Sequence, residues 1–397
     1  MSEGRGHSLV YTCLECQIVC KFITVLVKEL ISLSKLLHTN SVELNNRIHS
    51  PGLALTFSEN EIEIARKERK LLSLDIELTK ACNLSCLYCY AASEENQKDE
   101  LGLSEIIRVI DEAKELGLRT LNLTGGEPLL DKKYFTIAKY AYECNISVLL
   151  FTNGTLITEE IAQELMELRI SPCVKLDSLS SSVQDYLADK NGVLESIKKG
   201  INNLIMVGYT TKYPVLSVNA VVCRHTLDEI PELWAWARRQ NIVPSVTRLQ
   251  LMGRAKERAD LMVTPEELRE LYSKVSQIDK EFGIVWEPTI PWPYGQACIR
   301  HYIGCFIDSQ GNVQPCSGIP IKAGNVRERS LKEILSGADI FKVARNMENH
   351  VEGACKICQY RSECYGCRSI SYFMAGSFTA ADPLCWHSHR EKVRTKI

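Results

Sequence analysis

Hydrophobic and polar positions along the middle of the chain follow two periods, one typical of strands and one of helices. Between residues 72 and 252, short apolar runs are separated by segments whose apolar residues recur three or four positions apart. The runs predict strands at residues 72–79, 120–124, 147–152, 172–176, 215–222 and 246–252. The segments between them predict helices at residues 104–116, 132–144, 158–168, 192–207 and 227–240. This alternation favours an α/β fold with a parallel sheet, either an open doubly wound sheet or a partial barrel.

The regions on either side of this stretch have a different character. A further helix is predicted at 264–282, followed by a linker rich in proline and tryptophan at 287–294 and then by a cysteine-rich region. The first 70 residues contain an amphipathic helical pattern from Ile18 to Leu37 and a charged run at 61–70. We therefore predict an N-terminal extension, helical or partly disordered, at residues 1–70, a core domain at 71–285 and a C-terminal domain at 286–397.

Composition excludes several classes of protein. The chain has 397 residues and a net charge of −2, so it lacks the basic footprint of a nucleic-acid-binding protein. It has no run of 18 uncharged apolar residues, so no transmembrane helix is expected. Its 17 cysteines are an odd number, and no export signal is visible, which disfavours an extracellular disulfide framework. A cytoplasmic protein is expected.

Three cysteines follow the first predicted strand at close spacing. Cys82, Cys86 and Cys89 form the pattern C-x3-C-x2-C. Three thiolates can hold three irons of a [4Fe–4S] cluster and leave the fourth open, whereas an electron-transfer cluster normally has four protein ligands. The spacing therefore indicates chemistry at iron, with a zinc knuckle as the alternative.

The turns after the next three predicted strands carry polar residues and glycines. A Gly-Gly-Glu-Pro turn ends the second strand, and Thr-Asn-Gly and Asp-Ser end the third and fourth. Paired glycines let a backbone approach a ligand closely, and proline fixes the turn. Loops at the carboxyl ends of the strands carry the chemistry in β/α barrels. The candidate residues are Gly125, Gly126, Glu127, Pro128, Thr152, Asn153, Asp177 and Ser178.

The C-terminal region contains a second, denser set of cysteines. Its members are Cys298, Cys305, Cys316, Cys355, Cys358, Cys364, Cys367 and Cys385. Paired C-x2-C units at this density indicate metal binding, and eight thiolates can form two zinc sites or two iron–sulfur clusters. Cys13, Cys16 and Cys20 near the start are interpreted as incidental thiols, with a metal site as the alternative.

Taken together, these motifs resemble a known family. The C-x3-C-x2-C run followed by Gly-Gly-Glu-Pro resembles the radical S-adenosylmethionine (SAM) superfamily, and the C-terminal cysteines resemble its SPASM domain. The resemblance implies a partial (β/α)6 TIM-like barrel with a small cysteine-rich SPASM domain. It also implies that one electron splits SAM, bound at the open iron, into methionine and a 5′-deoxyadenosyl radical that removes hydrogen from a substrate.

The resemblance also assigns roles to residues. It implies that Cys82, Cys86 and Cys89 hold the catalytic cluster. The implied SAM-binding residues are Tyr88, Gly125, Gly126, Glu127, Pro128, Thr152, Asn153, Asp177 and Ser178. A first auxiliary [4Fe–4S] cluster would take Cys298, Cys305, Cys316 and Cys367, and a second would take Cys355, Cys358, Cys364 and Cys385. Four thiolates on each cluster favour electron relay over direct substrate binding.

The substrate is left open by these motifs. Members of the family with a SPASM domain most often modify peptides or proteins, and others act on tetrapyrroles. Ser317 stands where sulfatase-maturing members have an aspartate base, which argues against that chemistry. We expect a peptide- or protein-modifying oxidoreductase supplied with electrons by a low-potential ferredoxin or flavodoxin. The alternatives are a tetrapyrrole-modifying enzyme of the haem pathway and a non-catalytic metal-binding scaffold.

Overall fold

The computed structural model describes residues 57–93 and 98–388, in which nine strands form one sheet. They are β1 (Ser73–Glu77), β2 (Thr120–Thr124), β3 (Ser147–Thr152), β4 (Ser171–Lys175), β5 (Ser217–Val222), β6 (Val243–Arg248), β7 (Gly304–Ile307), β8 (Asn312–Gln314) and β9 (Gly324–Asn325). Their order is β6-β5-β4-β3-β2-β1-β7-β8-β9. The first seven strands pair in parallel, and β8 and β9 pair antiparallel. Because β6 and β9 are edges, the sheet stays open, and the predicted α/β partial barrel is confirmed.

Helices follow most strands and cover the outer face of the sheet. Those of the barrel are α1 (Glu59–Glu68), α2 (Leu103–Glu115), α3 (Tyr134–Glu143), α4 (Glu159–Glu167), α5 (Ser181–Ala188), α6 (Val193–Met206), α7 (Ile230–Arg239) and α8 (Pro265–Glu281). Those of the cysteine-rich region are α9 (Arg300–Ile303), α10 (Leu331–Gly337), α11 (Asp339–Ala344), α12 (Met347–His350) and α13 (Arg368–Ala375). Within the described ranges, none of the helices is long and apolar enough to cross a membrane.

The inner face of the sheet is polar, although it is buried. Side chains alternate between faces along a strand, so Leu74 and Ile76 of β1 pack into the main hydrophobic core, whereas Asp75 points inward. The Asp75 carboxylate accepts a hydrogen bond of 2.5 Å from Asn122 of β2 and forms an ion pair with Arg300. A buried polar interior of this kind suits a barrel that holds a polar ligand.

Several elements differ from the sequence prediction. Strand β6 begins at Val243, three residues before its predicted start. It includes Pro244, which lacks an N–H and is tolerated because β6 is an edge strand. Helix α5 was not predicted. The charged run at 61–70 lies mostly in α1, which begins with a capping box between Ser58 and Glu61.

The predicted linker at 287–294 is packed rather than exposed. Tyr294 is 4% exposed, and its hydroxyl donates to the carbonyl of Pro244 over 2.5 Å. Strands β7 to β9 of the cysteine-rich region extend the same sheet as the barrel. The division at residues 70 and 285 stays a prediction, and the amphipathic pattern at 18–37 lies outside the described residues.

Candidate active site

The loop after β1 carries the three closely spaced cysteines. Burial, and then the nearby charges of Asp177 and of the thiols Cys89 and Cys82, raise the pKa of the Cys86 thiol to about 12, while Lys175 acts in the opposite direction. Burial also raises the pKa of Cys82. A buried thiol stays protonated unless a cation compensates for its charge, and a coordinating metal removes the proton outright. The donor set therefore fits a cluster of iron ions.

The spacing of these thiols does not match a site for one ion. In the part of the chain that the structure describes, no group of three or more His, Cys, Asp or Glu side chains is placed to hold a single metal ion. Zinc would need its thiolate sulfurs at about 2.3 Å from a common centre. The nearby thiols of Cys82 and Cys89 contribute to the raised pKa of the Cys86 thiol.

The Gly-Gly-Glu turn packs against the segment that leads into Cys82. The N–H of Gly126 donates to the carbonyl of Thr79 over 2.7 Å, and the N–H of Glu127 donates to the carbonyl of Ala81 over 2.8 Å. A Cβ on Gly126 would lie 2.2 Å from the Ala81 oxygen. The glycine is therefore needed because two stretches of protein backbone meet here, a reason that differs from the approach to a ligand expected from the sequence.

Glu127 joins the ends of β2 and β3. Its buried carboxylate accepts hydrogen bonds from Thr152 Oγ1 (2.8 Å) and from the backbone N–H of Asn153 (2.7 Å). Burial raises the pKa of Glu127 to about 7, against the lowering effect of these hydrogen bonds. Pro128 begins the short 3-10 turn Pro128–Leu130 that follows. The two predicted turn motifs thus form one hydrogen-bonded unit.

Asn153 connects this unit to the cluster loop. Its Nδ2 donates to Oδ1 of Asn83 over 2.8 Å and lies 3.9 Å from Sγ of Cys82. The Nδ2 of Asn83 in turn donates to the hydroxyl of Thr155 over 2.8 Å. Sequence reasoning missed Asn83, although a polar side chain directly after the first cysteine was a signal that could have found it.

Asp177, which follows β4, is a second buried acceptor in contact with the cluster loop. Its carboxylate accepts from the Tyr88 hydroxyl, from Lys175 Nζ and, over 2.8 Å, from the backbone N–H of Val221. Lys175 Nζ also lies 5.0 Å from the centre of the Tyr88 ring. Lys175 is half-buried and pairs with the fully buried carboxylate of Asp177.

Ser178, the neighbour of Asp177, takes part in a different contact. Its hydroxyl donates to Glu229 over 2.5 Å, and it accepts from the backbone N–H of Ser180 over 2.9 Å. The side chain of Ser178 is therefore committed to the loop that follows β4. Asp177, which influences the Cys86 thiol, is the member of this pair that lies beside the cysteines.

Arg254, which the sequence analysis missed, lies in the loop after β6 and forms hydrogen bonds with the cluster loop. Its Nε donates to the carbonyl of Cys86 over 2.9 Å, and its Nη1 donates to the carbonyl of Ser93 over 2.8 Å. The backbone N–H of Arg254 donates to the carbonyl of Cys89 over 2.9 Å. The preceding Gly253 has a φ of 58° and leaves no room for a Cβ against the carbonyls of Cys89 and Tyr90.

The C-terminal cysteines form two groups that resemble the predicted ligand sets. Burial raises the pKa of Cys298 to about 11 and of Cys316 to about 12, and the nearby Cys367 thiol contributes to both increases. In the second group, burial is the main cause of the raised pKa of Cys355, Cys364 and Cys385. Cys358 contributes to the shift of Cys355, and Cys385 to that of Cys364. The members of the second group are Cys355, Cys358, Cys364 and Cys385.

Cys305 is not brought to the first group. It lies in β7, is 1% exposed, and stands beside Leu74 in the pairing of β7 with β1. Burial raises the pKa of its thiol to about 12, and the charged residue that influences it is Arg345.

Buried N–H donors surround the two groups of cysteines. Arg248 Nη2 and Arg368 Nε and Nη2 have no hydrogen-bond partner among the residues that the structure describes. The charge of Arg248 influences Cys367, and that of Arg368 influences Cys355. Buried donors without partners are costly, and the sulfurs of an iron–sulfur cluster accept hydrogen bonds. These orphaned donors fit two iron–sulfur clusters held by the cysteines.

Arg248 belongs to the C-terminal sites rather than to the loops around Cys82. Its Nη1 donates to Asp382 over 2.8 Å, and its guanidinium lies 4.5 Å from the centre of the Trp292 ring. Asp382 also accepts from the backbone N–H of Cys367 over 2.8 Å. The end of β6 is thereby attached to the cysteine-rich region.

Known proteins share these features over most of the chain. The model of the radical SAM superfamily matches residues 76–237, and that of SPASM, an iron–sulfur cluster-binding domain, matches residues 298–359. The chain is 29% identical over 337 residues to the AdoMet-dependent heme synthase of Methanosarcina barkeri, which covers 78% of this chain and 94% of that protein. It is 28% identical over 329 residues to the PqqA peptide cyclase of Rhizobium meliloti, covering 79% of this chain and 86% of the relative.

A solved structure shares the fold. Streptococcus suis SuiB bound to S-adenosylmethionine aligns with a TM-score of 0.65 and 19% identity, over 92% of this chain and 89% of that chain. The chain belongs to the radical SAM superfamily and carries a C-terminal SPASM domain. It is a radical SAM enzyme whose cofactors are [4Fe–4S] clusters and SAM.

Proposed function

We propose that this enzyme cleaves SAM to remove a hydrogen atom from a peptide or protein substrate. In this proposal the auxiliary clusters then accept the unpaired electron of the substrate radical. The observation that carries the proposal is the likeness to a relative named as a peptide cyclase, which extends through both the barrel and the cysteine-rich region. Position 317 is a serine, whereas sulfatase-maturing members of the family have an aspartate there, and this difference argues against that chemistry.

In this proposal the cluster loop holds the catalytic cluster through Cys82, Cys86 and Cys89. When bound there, the cluster supplies the electron that splits SAM. Glu127, Thr152 and Asn153 shape the SAM site from one side through their shared hydrogen bonds. Asp177, held by Tyr88 and Lys175, closes it from the other side.

A short route between clusters supports an electron relay. Tyr90 follows Cys89 in the chain, and its side chain contacts those of Thr124 and Ser317. Ser317 in turn follows Cys316. One tyrosine therefore links a ligand of the catalytic cluster to a ligand of the first auxiliary cluster. A low-potential ferredoxin or flavodoxin would supply the first electron, and the cysteine-rich chain suits the reducing cytoplasm.

A tetrapyrrole substrate is the second candidate. It is favoured by the likeness to a heme synthase, which covers 94% of that relative. The two candidates differ in the chemistry of the substrate and share the SAM-cleaving site.

The test compares the two substrates directly. The reconstituted enzyme is incubated with SAM, a reductant and either a peptide encoded by a short reading frame beside its gene or an iron porphyrin that carries propionates. We expect the peptide to lose about two mass units, as a net two-electron oxidation requires, and the porphyrin to stay unchanged. Modification of the porphyrin alone would overturn the peptide proposal in favour of the second candidate.

A further inference from the structure

The two faces of β7 separate Cys305 from the other cysteines of its predicted set. Strand β7 pairs in parallel with β1, so that Cys305 stands beside Leu74 and Phe306 stands beside Asp75. Because side chains alternate along a strand, neighbours in this register point to the same face and successive residues to opposite faces. Cys305 therefore shares the outward face of Leu74, and Asp75 points inward.

Cys316 lies two residues after Gln314 of β8. Gln314 stands beside Phe306 and so shares the inward face of Asp75. Asp75 forms an ion pair with Arg300, which lies two residues after Cys298. Arg300 and the Cys316 thiol influence each other's charge. Cys298 and Cys367 influence Cys316 as well. The three thiols and the Asp75–Arg300 pair thus form one neighbourhood on the inner side of the sheet.

Cys305 belongs to the opposite side. It is 1% exposed within the main hydrophobic core, together with Leu74 and Ile76. Its charged neighbour is Arg345, which follows α11. To reach the other thiols, Cys305 would need a one-residue slip of β7, which would also turn Ile307 out of the core.

We infer that Cys305 is a core residue and that three thiolates of the described chain, Cys298, Cys316 and Cys367, hold the first auxiliary cluster, leaving one of its irons open to a small anionic ligand. The inference rests on the proposed auxiliary clusters. It replaces the four-thiolate set that the family resemblance implies, and the second set keeps four thiolates. The Nη2 group of Arg248, whose charge is influenced by Cys367, has no hydrogen-bond partner among the described residues and is available to an anion at the open iron.

The first experiment counts iron in a background without the catalytic cluster. The full-length chain with Cys82, Cys86 and Cys89 replaced by alanine is reconstituted anaerobically, and Cys305→Val is compared with Cys298→Ala. Valine keeps the volume and apolar character of the core position, so folding is preserved. We expect about eight irons with Cys305→Val and about four with Cys298→Ala, since each cluster holds four irons. Equal loss of iron in both variants, with an unchanged thermal unfolding curve, would overturn the inference.

The second experiment probes the open iron in the same background. Addition of ¹³C-labelled cyanide should add hyperfine structure to the EPR signal of one reduced auxiliary cluster, with or without Cys305→Val. An unchanged EPR spectrum would contradict the inference that one iron is open. If the parent background itself takes up no iron, the proposed auxiliary clusters fail, and this inference fails with them; that result is distinct from iron loss confined to Cys305→Val.

Discussion

The guanidinium of Arg254 donates to the backbone carbonyl of Cys86 over 2.9 Å and so joins the loop after the last barrel strand to the loop of the catalytic cluster. The two residues are 168 positions apart in sequence. Between them the open barrel has no strand pairing to hold β6 near β1. This contact therefore helps to position the cluster ligands where the sheet itself does not.

Replacement of Arg254 should loosen the catalytic cluster. Arg254→Met removes two hydrogen bonds from a charged donor, each worth about 1.5–3 kcal/mol. We expect faster bleaching of the catalytic cluster by a chelator and at least a tenfold slower SAM cleavage, with partial rescue by Arg254→Lys. The matched control is Arg258→Met, which removes a surface pair with Asp260. Equal bleaching rates for the two methionine variants would contradict this role.

Gly126→Ala should disturb the approach to Cys82. The new Cβ would meet the Ala81 oxygen at 2.2 Å, so one of the two backbone segments must move. We expect a loss of about 3 kcal/mol in the free energy of unfolding of the metal-free protein in urea. Gly337→Ala is the control, because nothing lies within 4 Å of the added Cβ. If Gly126→Ala lowers the free energy of unfolding no more than Gly337→Ala does, the two backbone segments are not closely packed in solution.

Glu127 should make the stability of the metal-free protein depend on pH. Its folded-state pKa of about 7 lies above the ordinary value of 4.5, so folding favours the protonated carboxyl. The stabilisation is full below about pH 4.5 and is lost as the pH rises through about 7, a change of about 3 kcal/mol. Urea unfolding at several pH values measures it. Glu127→Gln should flatten this part of the profile, and a slope that survives the substitution would belong to another group.

Asp279 of α8 should contribute strongly to the stability of the barrel near its β6 edge. Its buried carboxylate accepts from Trp234 (2.7 Å), Arg238 (2.7 Å) and Trp286 (2.8 Å). Asp279→Ala leaves Arg238 buried without its partner, which costs about 3–5 kcal/mol. Thermal unfolding of the metal-free protein tests this, with the exposed Asp260→Ala as a control that should show no measurable change. Similar unfolding curves for both variants would refute the role of Asp279.

What could be predicted from the sequence depended on how local each feature is. The spacing of Cys82, Cys86 and Cys89 is a property of one loop, so the motif was visible at once. The strand ends at Glu127 and Thr152 were visible because each motif follows an apolar run. The contacts of Arg254 could not be predicted, because they form only when the chain returns after more than 160 residues.

Cys305 illustrates a second limit. Sequence spacing counts residues between cysteines but does not say which face of a strand each one occupies. That face is decided by the pairing of β7 with β1, two segments separated by more than 200 residues. Pro244 concealed the start of β6 for a similar reason, since only its edge position makes a proline acceptable there.

SAM cleavage by the reconstituted enzyme tests the central claim most directly. The protein is reconstituted anaerobically, iron is counted, and 5′-deoxyadenosine is measured after addition of SAM and dithionite. The account predicts about twelve irons for three four-iron clusters, formation of 5′-deoxyadenosine, and loss of that product in Cys86→Ala. A fully loaded catalytic cluster whose EPR signal does not change with SAM, and which forms no 5′-deoxyadenosine, would contradict it.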